Sequence, residues 1–216
     1  MRRPAVSLLF AVPVLVLPLL AFSGADKTSP PPKTGLVQSQ TEGPVYTAEG
    51  KLRFPAQYRE WVYLTTGLDM SYNPKPDAAT HSMFDNVFVN PASYRSFQQT
   101  GMWPDGTTMV LEIRGAESGT SINRRGHTQS PEVMGVEIHV KDAKLPGGWG
   151  FFEFDNPGGE AKIVARPATC YTCHEQHAAV DTTFVQFYPT LLGLATEKKT
   201  LSPEYVKASA AAPTNP

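Results

Sequence analysis

Apolar and polar positions alternate along several stretches of the chain. In residues 107–114, Met109, Leu111 and Ile113 alternate with Val110, Glu112 and Arg114, the period of a strand with one buried face. Residues 133–140 put Met134, Val136, Ile138 and Val140 together and Glu137 with His139 on the opposite face. Residues 83–89 and the aromatic run 149–154, entered through Gly147-Gly148, are further strands, and 161–165 offers one more. Helical spacing appears at Tyr58, Trp61, Val62 and Leu64. With Pro55 in a first turn and Gly67 beyond the end, this segment is expected to be a helix. Asn90-Pro91 opens a second short helix to about residue 100, stopped by Gly101. Near the end, Val180, Phe184, Phe187 and Leu191 keep apolar groups on one helical face, with Pro189 ending that helix near Tyr188. Between these elements, 69–80 carries Pro74 and Pro76, Trp103-Pro104-Asp105-Gly106 forms a turn, and 116–130 is polar and Gly-rich, as in a mobile loop. No internal repeat is present.

Strands joined by short turns, with helices before and after them, predict the α+β class: an antiparallel four- to five-stranded sheet with packed helices. The ends are different in kind. Residues 1–25 begin with Arg2 and Arg3, continue as an apolar run and close on Ser23, Gly24 and Ala25, the pattern of a signal peptide. The run is long enough to raise an uncleaved anchor as the alternative, although Pro13 and Pro18 suit a membrane helix poorly. Either way the rest is exported, which in a bacterium means the periplasm. Residues 26–50, with Pro30-Pro31-Pro32, are expected to be a disordered linker, and 196–216 a disordered tail. This leaves 51–195 as one folded domain, long enough for a real core. Lys and Arg total 19 against 20 Asp and Glu, without a long run of one sign, so nothing marks a nucleic-acid partner.

The two cysteines change the picture. They stand in Cys170-Tyr171-Thr172-Cys173-His174, the spacing that attaches a c-type haem: two thioether bonds, to Cys170 and Cys173, and an imidazole, His174, reaching the iron. A structural or redox-active disulfide is the alternative. A four-ligand zinc site would want further ligands, and no other cysteine exists. The motif comes after all the strands, whereas ordinary small cytochromes c are nearly all helix and carry it near their beginning. The predicted arrangement is haem c, one per chain, between the sheet and a C-terminal helix bearing His174.

Tyr58-Arg59-Glu60-Trp61, Val87-Phe88-Val89-Asn90-Pro91, Trp103-Pro104-Asp105-Gly106-Thr107 and the haem motif with Asp181 and Phe184 behind it occur in an order that resembles the cytochrome P-460 and cytochrome c′-β family, over about residues 54–192. The resemblance implies a covalent five-coordinate haem c with His174 as axial ligand, and business with small nitrogen oxides. Some members of that family oxidise hydroxylamine or nitric oxide, and others bind nitric oxide or carbon monoxide in a capped apolar pocket. The oxidising members are similar in having a lysine of the sheet region cross-linked to the porphyrin. Here no lysine lies between Lys75 and Lys141, which shifts the expectation toward binding or redox processing of a nitrogen oxide.

Two alternatives stay open: an oxidoreductase acting on hydroxylamine or nitric oxide, and a simple electron-transfer cytochrome with a second strong axial ligand. Glu112 is the weak catalytic candidate, as a proton acceptor if it points inward and as a solvent-facing residue otherwise. Arg59 is expected at the surface, with an inward position near haem as the sharper option. His177, three residues past His174, stays on the same side of the haem and is expected at the surface, with a hydrogen bond to the haem ligand's surroundings as the alternative; His139 is expected to be solvated or paired rather than a ligand, and His81 and His127 to lie in exposed loops, with approach to the distal side as the alternative. Phe84, Phe88, Phe151, Phe152 and Phe154 could cap a pocket or form ordinary core. The partners that fit are a small gaseous or nitrogen-oxide ligand, a redox partner protein and a second copy in a homodimer, with a membrane only if residues 1–25 remain attached.

Overall fold

A computed structural model describes residues 43–72 and 81–211. The predicted signal peptide, Lys75 and the last five residues fall outside the described residues. In chain order the elements are β1 (Leu52–Arg53), β2 (Val62–Leu68), β3 (Met83–Val89), α1 (Pro91–Thr100), β4 (Thr108–Glu117), β5 (Thr128–Lys141), β6 (Trp149–Phe154), β7 (Glu160–Ala161), α2 (Thr169–His177), α3 (Leu192–Lys198) and α4 (Pro203–Ala211). Strands β2 to β6 form an antiparallel meander with neighbours in sequence paired in space, and β1 pairs with β7 as a small second sheet. The fold is α+β.

Alternation along each strand sorts side chains to two faces, and both faces are covered. On one, Phe88, Val110, Val136, Ile138 and Phe152 form a core with Leu52 and Tyr58 from the N-terminal segment. On the other, Leu64, Val89, Met109 and Trp149 meet Phe97 of α1 and the segment beyond α2. The one-sided sheet implied by residues 107–114 is thus a two-sided one. Leu111 looks into a cavity, while Val110 and Glu112 are fully buried behind it. Register slips in β4 are confined to its far end, between Ile113, Arg114 and Ala116, and leave Thr108 to Ile113 in regular pairing with β5.

Helix α1 begins and ends as its sequence dictates. Pro91 occupies the first turn, Gly101 adopts the left-handed conformation at the end with φ of 74°, and its N–H returns to the Phe97 carbonyl. The Asn90 side chain accepts from the Thr108 N–H at 2.9 Å, tying the helix start to β4.

Five local expectations are corrected. The segment around Tyr58 to Leu64 is a single 3-10 turn, Tyr58–Glu60, followed by β2. Val62, Tyr63, Thr65 and Thr66 favour a pleated strand, and pairing along the β3 edge outweighs the helical spacing of the apolar groups. The long helix expected past His174 is broken. Helix α2 stops at His177, Val180 and Thr183 close a tight turn through paired main-chain hydrogen bonds with Asp181 at φ of 58°, and a 3-10 turn, Val185–Phe187, follows. The tail is not all disordered: it contains the end of α3 and all of α4, and Tyr205 packs on the core. Order also begins before residue 51, because Tyr46 bridges Leu52. Finally, Met134 is exposed instead of joining Val136, Ile138 and Val140.

Candidate haem-binding site

A cavity of about 200 Å³ lies between the second face of the sheet and the chain beyond α2. The sheet supplies Val87, Met109, Leu111, His139 and Phe151; the opposite wall supplies His174, Phe184, Phe187 and Tyr188. Tyr72 stacks near both Phe184 and Phe187 at the rim.

Helix α2 presents the haem motif to this space. Cys170 and Cys173, one helical turn apart, are half-buried and unpaired. The Cys170 thiol is pushed up by burial and also feels the carboxylates of Glu153 and Glu137, while Tyr72 feels Cys173; of the motif's residues His174 is the one that lines the cavity. The His174 ring packs at 4.2 Å from Phe184 and 4.8 Å from Phe151. Its Nδ1 lies 2.7 Å from the Thr182 carbonyl. A carbonyl only accepts, so Nδ1 carries the proton and Nε2 keeps a free lone pair. Burial holds His174 below the ordinary histidine range, partly offset by the bond to Thr182, which favours the neutral ring that a metal needs.

The loop that supplies Thr182 is itself anchored. Asp181 accepts from Trp149 Nε1 at 3.0 Å and pairs with Lys141, whose Nζ also donates to the Trp103 carbonyl at 2.8 Å; Trp103 Nε1 in turn donates to Thr183 Oγ1 at 2.8 Å. An Asp181→Ala variant is expected to lose about 1–3 kcal/mol in urea denaturation, because Lys141 and Trp149 lose their acceptor. Asp181→Asn should retain more, since Asn keeps an acceptor and tolerates the positive φ.

These residues fit a haem. No group of three His, Cys, Asp or Glu side chains that could hold a bare metal ion occurs among the described residues, so one free imidazole beside two thiols suits a metal whose other ligands come from a macrocycle. The cytochrome P-460 family pattern matches residues 55–185, more than half of the chain. The chain belongs to the cytochrome P-460 family. Family membership brings haem as cofactor and an iron centre. No curated protein matches the sequence.

Several sequence candidates of this cytochrome P-460 chain lie elsewhere. Glu112 is on the far face of β4 and neither points into the cavity nor meets solvent. Its carboxylate takes Arg114 Nε at 2.6 Å, Arg59 Nη1 at 2.7 Å, Asn86 Nδ2 at 3.3 Å and the Tyr58 hydroxyl. Burial pushes the carboxyl up, but the hydrogen bonds from Arg114, Tyr58 and Arg59 win and hold it at about 2. Arg59 is accordingly engaged away from the cavity. Phe88, Phe152 and Phe154 belong to the first core, and of the sheet phenylalanines listed as possible caps Phe151 is the one that lines the cavity. His81, His127 and His177 are exposed, as expected. Lys141 is committed to Asp181.

The cavity lining also takes in Glu137, Asp85 and His139, the last of which the sequence leads one to expect solvated or paired. His139 is buried, stacked on Phe151 at 4.0 Å, and sits 5.0 Å from the His174 ring. Burial, then the neighbouring His174, pushes it well below the ordinary range. The alternation of β5 already joined Glu137 to His139; the missing piece was that this face is covered.

Proposed function

We propose that the chain is an exported c-type haem protein in which Cys170 and Cys173 carry the haem as thioethers, His174 is the protein's ligand to iron, and the opposite iron position stays open for a small nitrogen oxide such as nitric oxide. The observation that carries this reading is the His174 ring, with Nδ1 committed to Thr182 and Nε2 free, on the same helix as two unpaired thiols beside an aromatic-walled cavity. A haem held there supplies a redox-active iron able to take a small ligand.

The chain's residues orient and enclose. Thr182 fixes the tautomer of His174, Phe151 and Phe184 fix its ring, and Tyr72, Phe184 and Phe187 surround the mouth. The other histidine that lines the cavity, His139, packs against His174 itself, 5.0 Å between ring centroids, which supports an open position over a six-coordinate electron carrier. No lysine lines the cavity among the described residues either, which supports ligand binding or redox processing over the oxidation of hydroxylamine by a cross-linked haem.

Optical spectra of the purified holoprotein test this. Reduced protein is expected to be five-coordinate and to change on adding nitric oxide or carbon monoxide. A six-coordinate spectrum indifferent to both ligands would refute the open site, and a red-shifted Soret band with hydroxylamine turnover would favour the oxidising alternative.

A further inference from the structure

We infer that the phenol of Tyr188 is the cavity's hydrogen-bond donor to a bound nitrogen oxide, and that it sets how long such a ligand stays. The inference rests on the haem reading above and adds to it a residue that selects for ligands carrying an acceptor atom.

Among the described residues the hydroxyl-bearing side chains that line the cavity are Thr65, Tyr72, Thr183 and Tyr188. The first three are committed or open to water. Thr183 Oγ1 donates to the Val180 carbonyl at 2.8 Å and accepts from Trp103 Nε1 at 2.8 Å. Tyr72 is exposed, and Thr65 is half-buried on the edge strand β2. Tyr188 differs from all of them. It is only 6% exposed, and the partner of its hydroxyl among the described residues is Met109 Sδ, 4.0 Å away. A thioether sulfur is a weak acceptor, so the O–H is buried without a strong partner. Met109 on β4 is itself buried and lines the same cavity, so phenol and thioether meet from opposite walls.

The main chain fixes this phenol in place without using it. The Tyr188 N–H donates to the Val185 carbonyl at 2.9 Å, and the Tyr188 carbonyl accepts from Leu191 at 2.9 Å and from Leu192 at 3.1 Å, at the start of α3. The ring belongs to the same core as Val89, Val185 and Leu191. Burial, then Tyr72, pushes the phenol up, so it keeps its proton and stays a donor. A buried donor without a strong acceptor costs stability until something supplies one. The cavity that Tyr188 lines is where a ligand can do so.

Nitric oxide carries such an acceptor atom. A hydroxyl rotates to suit its surroundings, and the Tyr188 O–H exchanges a sulfur for the better acceptor of the ligand. No covalent bond breaks, no electron moves, and the proton stays on the phenol. Selection follows from the same contact. A ligand that accepts a hydrogen bond well, as nitric oxide and dioxygen do, is held longer; carbon monoxide, a poor acceptor, gains little.

The test compares the parent holoprotein with Tyr188→Phe, which keeps the ring and removes the hydroxyl, and with Met109→Leu, which removes the sulfur. Reduced protein is loaded with nitric oxide, and the N–O stretch is read by infrared spectroscopy beside the dissociation rate. Tyr188→Phe should raise the stretching frequency and speed dissociation about two- to tenfold, the worth of one neutral hydrogen bond. Met109→Leu leaves the phenol free to donate and should dissociate no faster than the parent. Carbon monoxide should leave at nearly the same rate from all three. With no ligand added, the urea midpoint of Tyr188→Phe should match or exceed that of the parent, because the hydroxyl lost was poorly paired; a lower midpoint would make it a structural group and overturn the inference. An unchanged frequency and rate in Tyr188→Phe, or equal changes in both variants, overturns it as well. Haem staining on a denaturing gel precedes these measurements. A chain without haem, or one whose spectrum ignores nitric oxide, sinks the reading of the site itself, whereas nitric oxide bound identically with and without the hydroxyl sinks the role of Tyr188 alone.

Discussion

Replacing Cys170 and Cys173 together by alanine is expected to yield a protein that gives up all its haem on denaturation, whereas the parent chain keeps its haem through a denaturing gel. The expectation follows from how the thiols are held. They stand one turn apart on α2, half-buried and unpaired with each other, on the helix whose His174 lines the cavity. Two thioethers at those positions would hold the haem to the helix, with His174, next in sequence, available as its ligand. The double variant keeps His174, the aromatic walls and the cavity, so it should still bind haem reversibly, with an affinity that dialysis exposes. Each single variant retains one thioether and therefore its stain. Haem that stays with the denatured double variant would overturn covalent attachment through this motif. Loss of covalent haem should also lower the melting temperature, because a ligand that binds only the folded state stabilises it by mass action, and an attached one does so at very high effective concentration.

Glu112→Ala is expected to be the most damaging single substitution for stability. The carboxylate is fully buried, and removing it strands Arg114, whose side chain is only 14% exposed, together with the Tyr58 hydroxyl and Asn86. Breaking a buried pair by deleting one partner costs about 3–5 kcal/mol. Arg59 can swing into solvent, since its side chain is 55% exposed, and so adds little to the loss. Glu112→Gln keeps shape and some acceptors and should cost less. The same carboxyl sets a pH signature. Its folded-state value of about 2 lies below the ordinary 4.5, so the stability it contributes is present above about 4.5 and drains away as pH falls toward about 2. Urea midpoints recorded across that range should fall in the parent chain and fall less steeply in Glu112→Gln. Equal slopes in the two proteins would show that the network is not coupled to folding.

The contrast between these two sites explains what was legible in the sequence. The haem motif is a local pattern, with all its meaning inside five residues, and family membership agrees with it. The strands 83–89 and 149–154 and the helix from Pro91 were legible because alternation, or a Pro start with a Gly stop, reports local geometry. What could not be read depends on partners distant in the chain. Glu112 is paired by residues more than fifty positions upstream at Tyr58 and Arg59, and no spacing announces that meeting. The apolar residues at Tyr58 to Leu64 obey a helical period, yet the segment joins a sheet because β3 offers it an edge. Asp181 takes a positive φ that interrupts a helical pattern, held by Lys141 and Trp149 from β5 and β6. Glu137 and His139 were correctly placed on one face of one strand, and the cavity they line, with His139 buried, followed from a layer supplied by the last third of the chain.

The bulges at the far end of β4 have a consequence for how this molecule can change. Strand positions repeat every two residues, so an extra residue inserted in the regular stretch from Thr108 to Ile113 would turn the face bearing Leu111 into the face bearing Glu112, exchanging cavity wall for sealed core in a single step. Beyond Ile113 the ladder already accommodates shifts of register, and the connection from Ser118 to His127 hangs past them. Length can therefore be gained or lost at that outer end without reaching the cavity. The hairpin between β4 and β5 behaves as an expansion joint: one end of the barrel-less sheet is free to diversify, while the end beside the haem motif is bound to its parity.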